Sequence, residues 1–234
     1  MRPAGIAWAL VALLALPAHA AAPDAEFAVR WDPRQGGPAT PADALRELRL
    51  QASAPSHFEV QYFEFSAPAG LPAGFDPILR KRLTGGNAEL TFKLRGPAPL
   101  PAQPSLKHWD CPLGPTQDRK DEADISFVAV GRSLTAFSRS CSVESRQADI
   151  EPPAALQARP RGCGSTMTRL RSGKLKIEEW KMADGSVLLE ASRPGKHDPA
   201  SMRAFERQVL QPLLALKVQP LERSKSALGG DCAR

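Results

Sequence analysis

Two periodicities run through the chain, and the shorter one dominates. Residues two apart share a side of a β-strand, whereas one face of a helix repeats every three or four residues. Residues 78–95, ILRKRLTGGNAELTFKLR, read as two strands joined by a tight turn. In the first arm Ile78, Arg80 and Arg82 alternate with Leu79, Lys81 and Leu83. In the second, Leu90, Phe92 and Leu94 alternate with Glu89, Thr91, Lys93 and Arg95. Gly85-Gly86-Asn87 supplies the positive φ angles that a hairpin connection needs. The product is a β-ribbon carrying a row of cations.

Similar alternation recurs on both sides of this ribbon. Residues 26–31 form a short strand with Phe27, Val29 and Trp31 on one side, and residues 57–65 form an aromatic-rich one. Residues 122–130 and 134–143 make a second hairpin over Gly131-Arg132, with Glu122 and Asp124 opposite Ile125 and Phe127. Residues 166–171 and 174–181 pair across Gly173, and Asp184-Gly185 turns the chain into residues 186–192. Residues 96–104 are Pro-rich and read as an extended surface connection. Residues 144–164 read as irregular, with a helical turn near Pro153.

Two helices complete the pattern. Thr40 is a good N-cap followed by Pro41 at the first helical position, which starts a short helix ending near Arg49. Asp198 and Pro199 open the second, whose apolar stripe is Met202, Phe205, Val209 and Leu213; Pro212 should kink or shorten it. The class is therefore α+β, mainly antiparallel β, with about eight strands and two flanking helices.

Composition adds a compartment. Arg2, the apolar run of residues 6–16 and Ala18-His19-Ala20 form a secretory signal peptide over residues 1–20, cleaved after Ala20. The apolar run is too short to span a bilayer as a helix. The product is expected to be exported, periplasmic or secreted, with residues 21–220 as one domain and 221–234 as a tail. Losing Arg2 leaves 30 basic against 25 acidic residues, net +5, which favours an anionic ligand. No like-charge run is long enough for a nucleic-acid tail. Cys111, Cys141, Cys163 and Cys232 contain no C-x-x-C pair, so zinc and thioredoxin-like chemistry are not indicated. An even count in an oxidising compartment suggests two disulfides, and sequence alone leaves three pairings open. Cys111–Cys141 with Cys163–Cys232 is the expected one, the second tethering the tail.

The candidate chemistry lies in the charged strand faces. Glu26 and Arg30, Arg80 and Arg82, Lys93 and Arg95, Glu122 and Asp124, Arg139, then Lys174, Lys176, Glu178 and Glu190 all recur in strands. In an open sandwich they face solvent; in a closed barrel they line a charged tunnel. Periodicity does not separate the two. His57, His108 and His197 are scattered, no G-x-S-x-G elbow is present, and Trp109 and Trp180 read as core or rim residues.

The order of these motifs resembles the CYTH domain, the fold of the triphosphate tunnel metalloenzymes. Glu26-Phe27-Ala28-Val29-Arg30 is similar to that family's opening E-x-E-x-K strand, and a helix and an aromatic strand follow. Leu79-Arg80-Lys81-Arg82 resembles its arginine strand, and Leu90-Thr91-Phe92-Lys93 its L-T-x-K strand. Glu122-Ala123-Asp124 resembles the acidic strand, Arg139 the arginine strand after it, and residues 180–190 the closing hairpin with its E-x-E. The resemblance implies a closed or nearly closed β-tunnel. In it Arg80, Arg82, Lys93, Arg95, Arg139, Lys174 and Lys176 would bind a phosphorylated or other polyanionic ligand. Glu26, Glu122, Asp124, Glu178 and Glu190 would hold Mg²⁺ or Mn²⁺. Guanidinium groups suit phosphate oxygens, and carboxylates suit a hard divalent ion.

The chain departs from that pattern at its acids. Ala28 replaces the second glutamate of the opening motif, Arg30 its lysine, and Ser192 the last carboxylate of the closing motif. The expectation is an exported polyanion-binding tunnel, with residual metal-dependent phosphohydrolase activity as an open question. The alternative is a non-catalytic envelope protein on the same scaffold that meets a protein partner.

Overall fold

The computed structural model describes residues 22–71, 73–98, 111–114, 118–147 and 150–223. Nine strands close into one barrel. They are β1 (Asp24–Trp31), β2 (Ser56–Glu64), β3 (Asp76–Thr84), β4 (Asn87–Gly96), β5 (Asp118–Ala129), β6 (Arg132–Ser145), β7 (Arg159–Ser172), β8 (Leu175–Lys181) and β9 (Val187–Lys196). Around the barrel they run β1-β5-β6-β4-β3-β2-β7-β8-β9. The neighbours β3–β4, β5–β6, β7–β8 and β8–β9 pair antiparallel, as the hairpins predict. The β3–β4 turn is Gly85-Gly86, with φ of 54° and 83°, values that glycine adopts at no steric cost.

Three features differ from the sequence expectation. The strand count is nine, and β1 pairs with β5 in parallel, Glu26 opposite Asp124. A parallel pairing between distant strands has no turn between them and so leaves no local signal. β7 begins at Arg159, inside the stretch read as irregular. Pro160 and Gly162 disguised it: the β2–β7 register shifts between Gln61 and Phe63, and Pro160 sits at that irregularity, a place where proline is tolerated.

The barrel is coated with apolar residues on the outside. Phe27, Val29 and Trp31 of β1, Ile125 and Phe127 of β5 and Leu189 of β9 point outward into one core. The helices cover it. Thr40 caps α1 (Pro41–Glu47) by accepting from the Asp43 N–H, and Leu45 is buried against the barrel. Asp198 caps α2 (Pro199–Phe205). The Pro212 kink takes a specific form. Residues Glu206–Leu210 widen to a π-helical turn in which the Gln211 N–H donates to the Glu206 carbonyl, before α3 (Gln211–Ala215). Proline cannot donate to the carbonyl four residues back, and the widened turn absorbs that loss. Phe205, Val209, Leu210 and Leu213 are buried under it, and Phe205 packs against both Phe27 and Phe127.

A second outer core covers β3, β4 and β6. Leu79, Leu90, Phe92 and Leu94 lie beneath Phe75 and Leu156, and the Cys111–Cys141 disulfide pins the crossing segment to β6. At Gly96 a Cβ would lie 2.4 Å from the Phe75 ring, so only glycine lets that ring seat. The Cys163 side chain, Cys232, Trp109, His108 and the first twenty residues fall outside the described residues, and with them the second disulfide and the leader.

Two stability outcomes follow. Phe205→Ala should cost about 3–5 kcal/mol in urea unfolding, because it empties the centre of the helix-side core. Cys111→Ser/Cys141→Ser should cost about 3–4 kcal/mol by loop-closure entropy across 30 residues of separation.

Candidate active site: a charged tunnel

Strand alternation that puts apolar residues outside puts the charged ones inside. β1 turns Glu26 and Arg30 inward, β3 Arg80 and Arg82, β4 Glu89, Thr91, Lys93 and Arg95, and β5 Glu122 and Asp124. β7 contributes Arg169 and β8 Lys176 and Glu178. They line a cavity of about 460 Å³ with nine basic and six acidic side chains, so the lumen is net positive. Val60, Tyr62, Met167, Trp180 and Leu188 form a third apolar cluster where β2, β7, β8 and β9 meet, against which Leu221 of the C-terminal segment packs.

The acids divide into two groups. Glu26, Glu122 and Asp124 bring carboxylate oxygens within 4.8 Å of one another. The parallel β1–β5 pairing creates this cluster by setting Glu26 beside Asp124. Three hard oxygen donors at this spacing suit one Mg²⁺ or Mn²⁺, since oxygens on opposite sides of Mg²⁺ lie about 4.2 Å apart. Their partners are lysines. Lys176 pairs with Glu26, Lys120 with Glu122, and Lys93 lies 3.0 Å from Asp124 Oδ2 and 3.6 Å from Glu122 Oε1. Arg95 Nε approaches Asp124 at 3.4 Å.

Glu178 and Glu190 stand apart from that cluster, each held by an arginine. Arg169 donates through Nε to Glu178 Oε1 at 2.8 Å, and Trp180 Nε1 donates to its other oxygen at 3.0 Å. Arg30 donates through Nε to Glu190 at 2.6 Å and through Nη1 to Ser126 at 2.7 Å. Both carboxylates are almost wholly buried and are spent on these bonds.

The two departures from the family's acidic motifs meet in space. Ala28 lies directly opposite Ser192 across β1–β9, and opposite Ser126 across β1–β5. A neutral belt thus lies between the Glu26 cluster and the Arg30–Glu190 pair.

The cation row is less evenly matched. Arg82 Nη1 is 3.7 Å from Glu89 and its guanidinium lies over the Trp180 ring. Arg80 is deeper. Nε of both Arg80 and Arg82 is buried without a hydrogen-bond partner. Burial, and then the adjacent Arg82 charge, push Arg80 below the ordinary guanidinium range. Buried donors of this kind are rare unless something else fills the space.

Of the residues singled out from sequence, Arg80, Arg82, Lys93, Arg95, Lys176, Glu26, Glu122, Asp124 and Glu178 line the cavity. Arg139 does not. It pairs with Leu94, on the outer side of the wall, and its guanidinium binds Asp121. Lys174 lies exposed in the turn between β7 and β8, outside the cavity lining. Sequence reasoning missed Arg169, Tyr62, Glu89 and the Asp118-Arg119-Lys120 entrance. Arg169 had a signal, its alternation with Met167 and Arg171. The entrance was missed because β5 begins four residues before Glu122.

The closed barrel and its charged interior are what the resemblance implies. No family model and no curated protein sequence matches the chain. Solved structures similar to it include HpAC1 from Hippeastrum, described as an adenylyl cyclase candidate with a dominant triphosphatase activity. It is 10% identical, with 88% of this chain and 95% of that one covered and a TM-score of 0.48. A Vibrio parahaemolyticus protein described as a candidate adenylate cyclase is 9% identical, covering 91% and 100%, with a TM-score of 0.45. The PH1012 protein of Pyrococcus horikoshii is 12% identical, covering 87% and 98%, with a TM-score of 0.46.

The Arg30–Glu190 pair gives a sharp test of what fills the far side of the neutral belt. Arg30→Met should destabilise the protein by about 3–5 kcal/mol, because it strands a buried carboxylate, whereas Arg30→Met/Glu190→Leu should recover most of that loss. Equal loss in both variants, measured by urea unfolding, contradicts a simple charge-pair role.

Proposed function

We propose that the chain binds a phosphorylated, polyanionic small molecule inside the tunnel, with one divalent ion beside it. The observation that carries this is the Arg80–Arg82 pair, two adjacent guanidinium groups with buried Nε donors lacking partners. The acids Glu26, Glu122, Asp124 and Glu178 are already matched to cations within the protein. A guanidinium keeps its charge through the physiological pH range and presents a planar fork that fits phosphate oxygens. An incoming oxyanion therefore satisfies donors that the protein leaves open.

The lumen's other groups divide the remaining tasks. Arg80 and Arg82 grip and orient phosphate oxygens, and Lys93, Arg95, Lys120 and Lys176 neutralise charge along the wall. Glu26, Glu122 and Asp124 would hold Mg²⁺ or Mn²⁺. That ion supplies polarisation of a phosphate oxygen and a more acidic water, the chemistry of phosphoanhydride hydrolysis. Tyr62 and Thr91 complete the inner wall. The setting is an exported one: the N-terminal residues have signal-peptide character, the Cys111–Cys141 disulfide suits an oxidising compartment, and no helix among the described residues is long and apolar enough to cross a membrane.

Thermal shift with tripolyphosphate and Mg²⁺, beside release of free phosphate, tests the reading. The protein should be stabilised, by about 2.7 kcal/mol at a ligand concentration a hundred times Kd. Arg80→Ala should abolish the shift, while Arg139→Ala and Lys174→Ala should keep it. A shift in the Arg80→Ala variant equal to that of the unmodified protein sinks the proposal. Phosphate release lost in Asp124→Asn with binding retained assigns hydrolysis to the acidic cluster.

A further inference from the structure

The lysines of the tunnel occupy the wrong side of it for a phosphate ligand. Lys93, Lys120 and Lys176 come from three different strands, β4, β5 and β8, yet all three ammonium groups turn to the Glu26–Glu122–Asp124 cluster. Each carboxylate of the cluster has a lysine of its own. The deeper acids are matched differently, Glu178 with Arg169 and Glu190 with Arg30. Those guanidinium pairs are buried and fixed, whereas the lysine side chains keep between 21% and 53% of their surface exposed.

A lysine is a point charge on a flexible four-carbon stem, so it can exchange one anionic partner for another without moving its backbone. Lys93, Lys120 and Lys176 all border the cavity that holds Arg80 and Arg82. A divalent ion entering this cluster meets three ammonium groups already seated there, and like charges at contact distance repel strongly in a partly desolvated lumen. An oxyanion on Arg80 and Arg82 offers those ammonium groups a second partner and draws them off the carboxylates.

We propose that the free protein keeps its cation site shut with Lys93, Lys120 and Lys176, so that a divalent ion and an oxyanion bind the tunnel cooperatively, each admitting the other. This rests on the anion site described above. Linkage makes the effect reciprocal: whatever factor the anion adds to metal affinity, the metal adds to anion affinity. Either ligand alone binds weakly, and the pair binds well. The device also favours a metal–phosphate complex over phosphate-free metal, which keeps the acidic cluster from being filled by stray cations in an exported setting.

The probes are Mn²⁺ and sulfate, an oxyanion that chelates Mn²⁺ weakly. Free Mn²⁺ is read by its paramagnetic resonance signal, in chloride and in sulfate at matched ionic strength. Sulfate should tighten Mn²⁺ binding by about tenfold or more, inside the range usual for coupled sites. Lys120→Gln/Lys176→Gln should bind Mn²⁺ in chloride about as tightly as the unmodified protein does in sulfate, and sulfate should then add little. Lys196→Gln, which removes a lysine paired with Asp24 outside the cavity lining, should leave the coupling intact. Mn²⁺ affinity indifferent to sulfate in the unmodified protein overturns the proposal, as does failure to bind Mn²⁺ in both salts. An equal loss of coupling in Lys196→Gln overturns it too, since general electrostatics would then suffice. Sulfate that raises thermal stability without altering Mn²⁺ binding removes the coupling and leaves the anion site standing. Sulfate with no thermal effect even in the presence of Mn²⁺ removes both. The comparison in unmodified protein holds even if the double variant does not fold.

Discussion

The structure depends on a barrel that is turned inside out relative to an ordinary globular core. In most small barrels the interior is filled by apolar side chains. Here much of the interior is charged, and the apolar faces of β1, β4, β5 and β9 point outward. Those faces cannot be left to water. The helices α1, α2 and α3 cover one flank, and the segments around Phe75, Cys111 and Leu156 cover the other. Every outer element is therefore tied to the charge within: it exists so that the strands can afford a polar lumen. The disulfide belongs to the same logic, since Cys141 sits on the outer face of β6 and anchors the coat there.

A polar lumen must then be electrically balanced. Burying an isolated charge is costly, and the interior solves this by cross-strand pairing. Arg30 with Glu190 and Arg169 with Glu178 are the rigid solutions, with Ser126 accepting a further bond from Arg30 and Trp180 donating one to Glu178. The lysine–carboxylate pairs are the more exposed ones. Arg80 and Arg82 are the incomplete one. The lumen thus runs from fixed guanidinium–carboxylate pairs through lysine–carboxylate pairs to the open Nε donors of Arg80 and Arg82.

Much of the wall was legible in the chain because period-2 alternation is a local property. The arms of β3 and β4 and the acidic pair of β5 could be read residue by residue, and the direction they face follows once the sheet closes. What could not be read is closure itself. Alternation is identical for a wet outer face and a lined tunnel. Arg139 shows the cost of that ambiguity: it sits beside serines that face the lumen, one residue out of phase, and so points outward to Asp121. Glu178 and Glu190 show a second limit. Their place on a charged strand face was legible, but their arginine partners lie 9 and 160 residues away in sequence, and only the closed barrel brings the latter together.

Positions 28 and 192, Ala and Ser where the resemblance would place acids, lie far apart along the sequence. Across β1–β9 the two residues face each other, with Ser126 at the same level on β5. Two carboxylates opposed at that place would need a cation between them, and removing only one would strand the other in a buried setting. Removing both leaves a neutral, compact belt: Ala28 and Ser192 are buried, and Ser126 turns its hydroxyl to Arg30. Arginine at position 30 fits the same change. Its two nitrogens reach both Glu190 and Ser126, a span that a single lysine ammonium does not bridge in the same fixed geometry. The inner part of the tunnel therefore carries a neutral belt beside an internal ion pair. The Glu26–Glu122–Asp124 cluster near the entrance kept its acids.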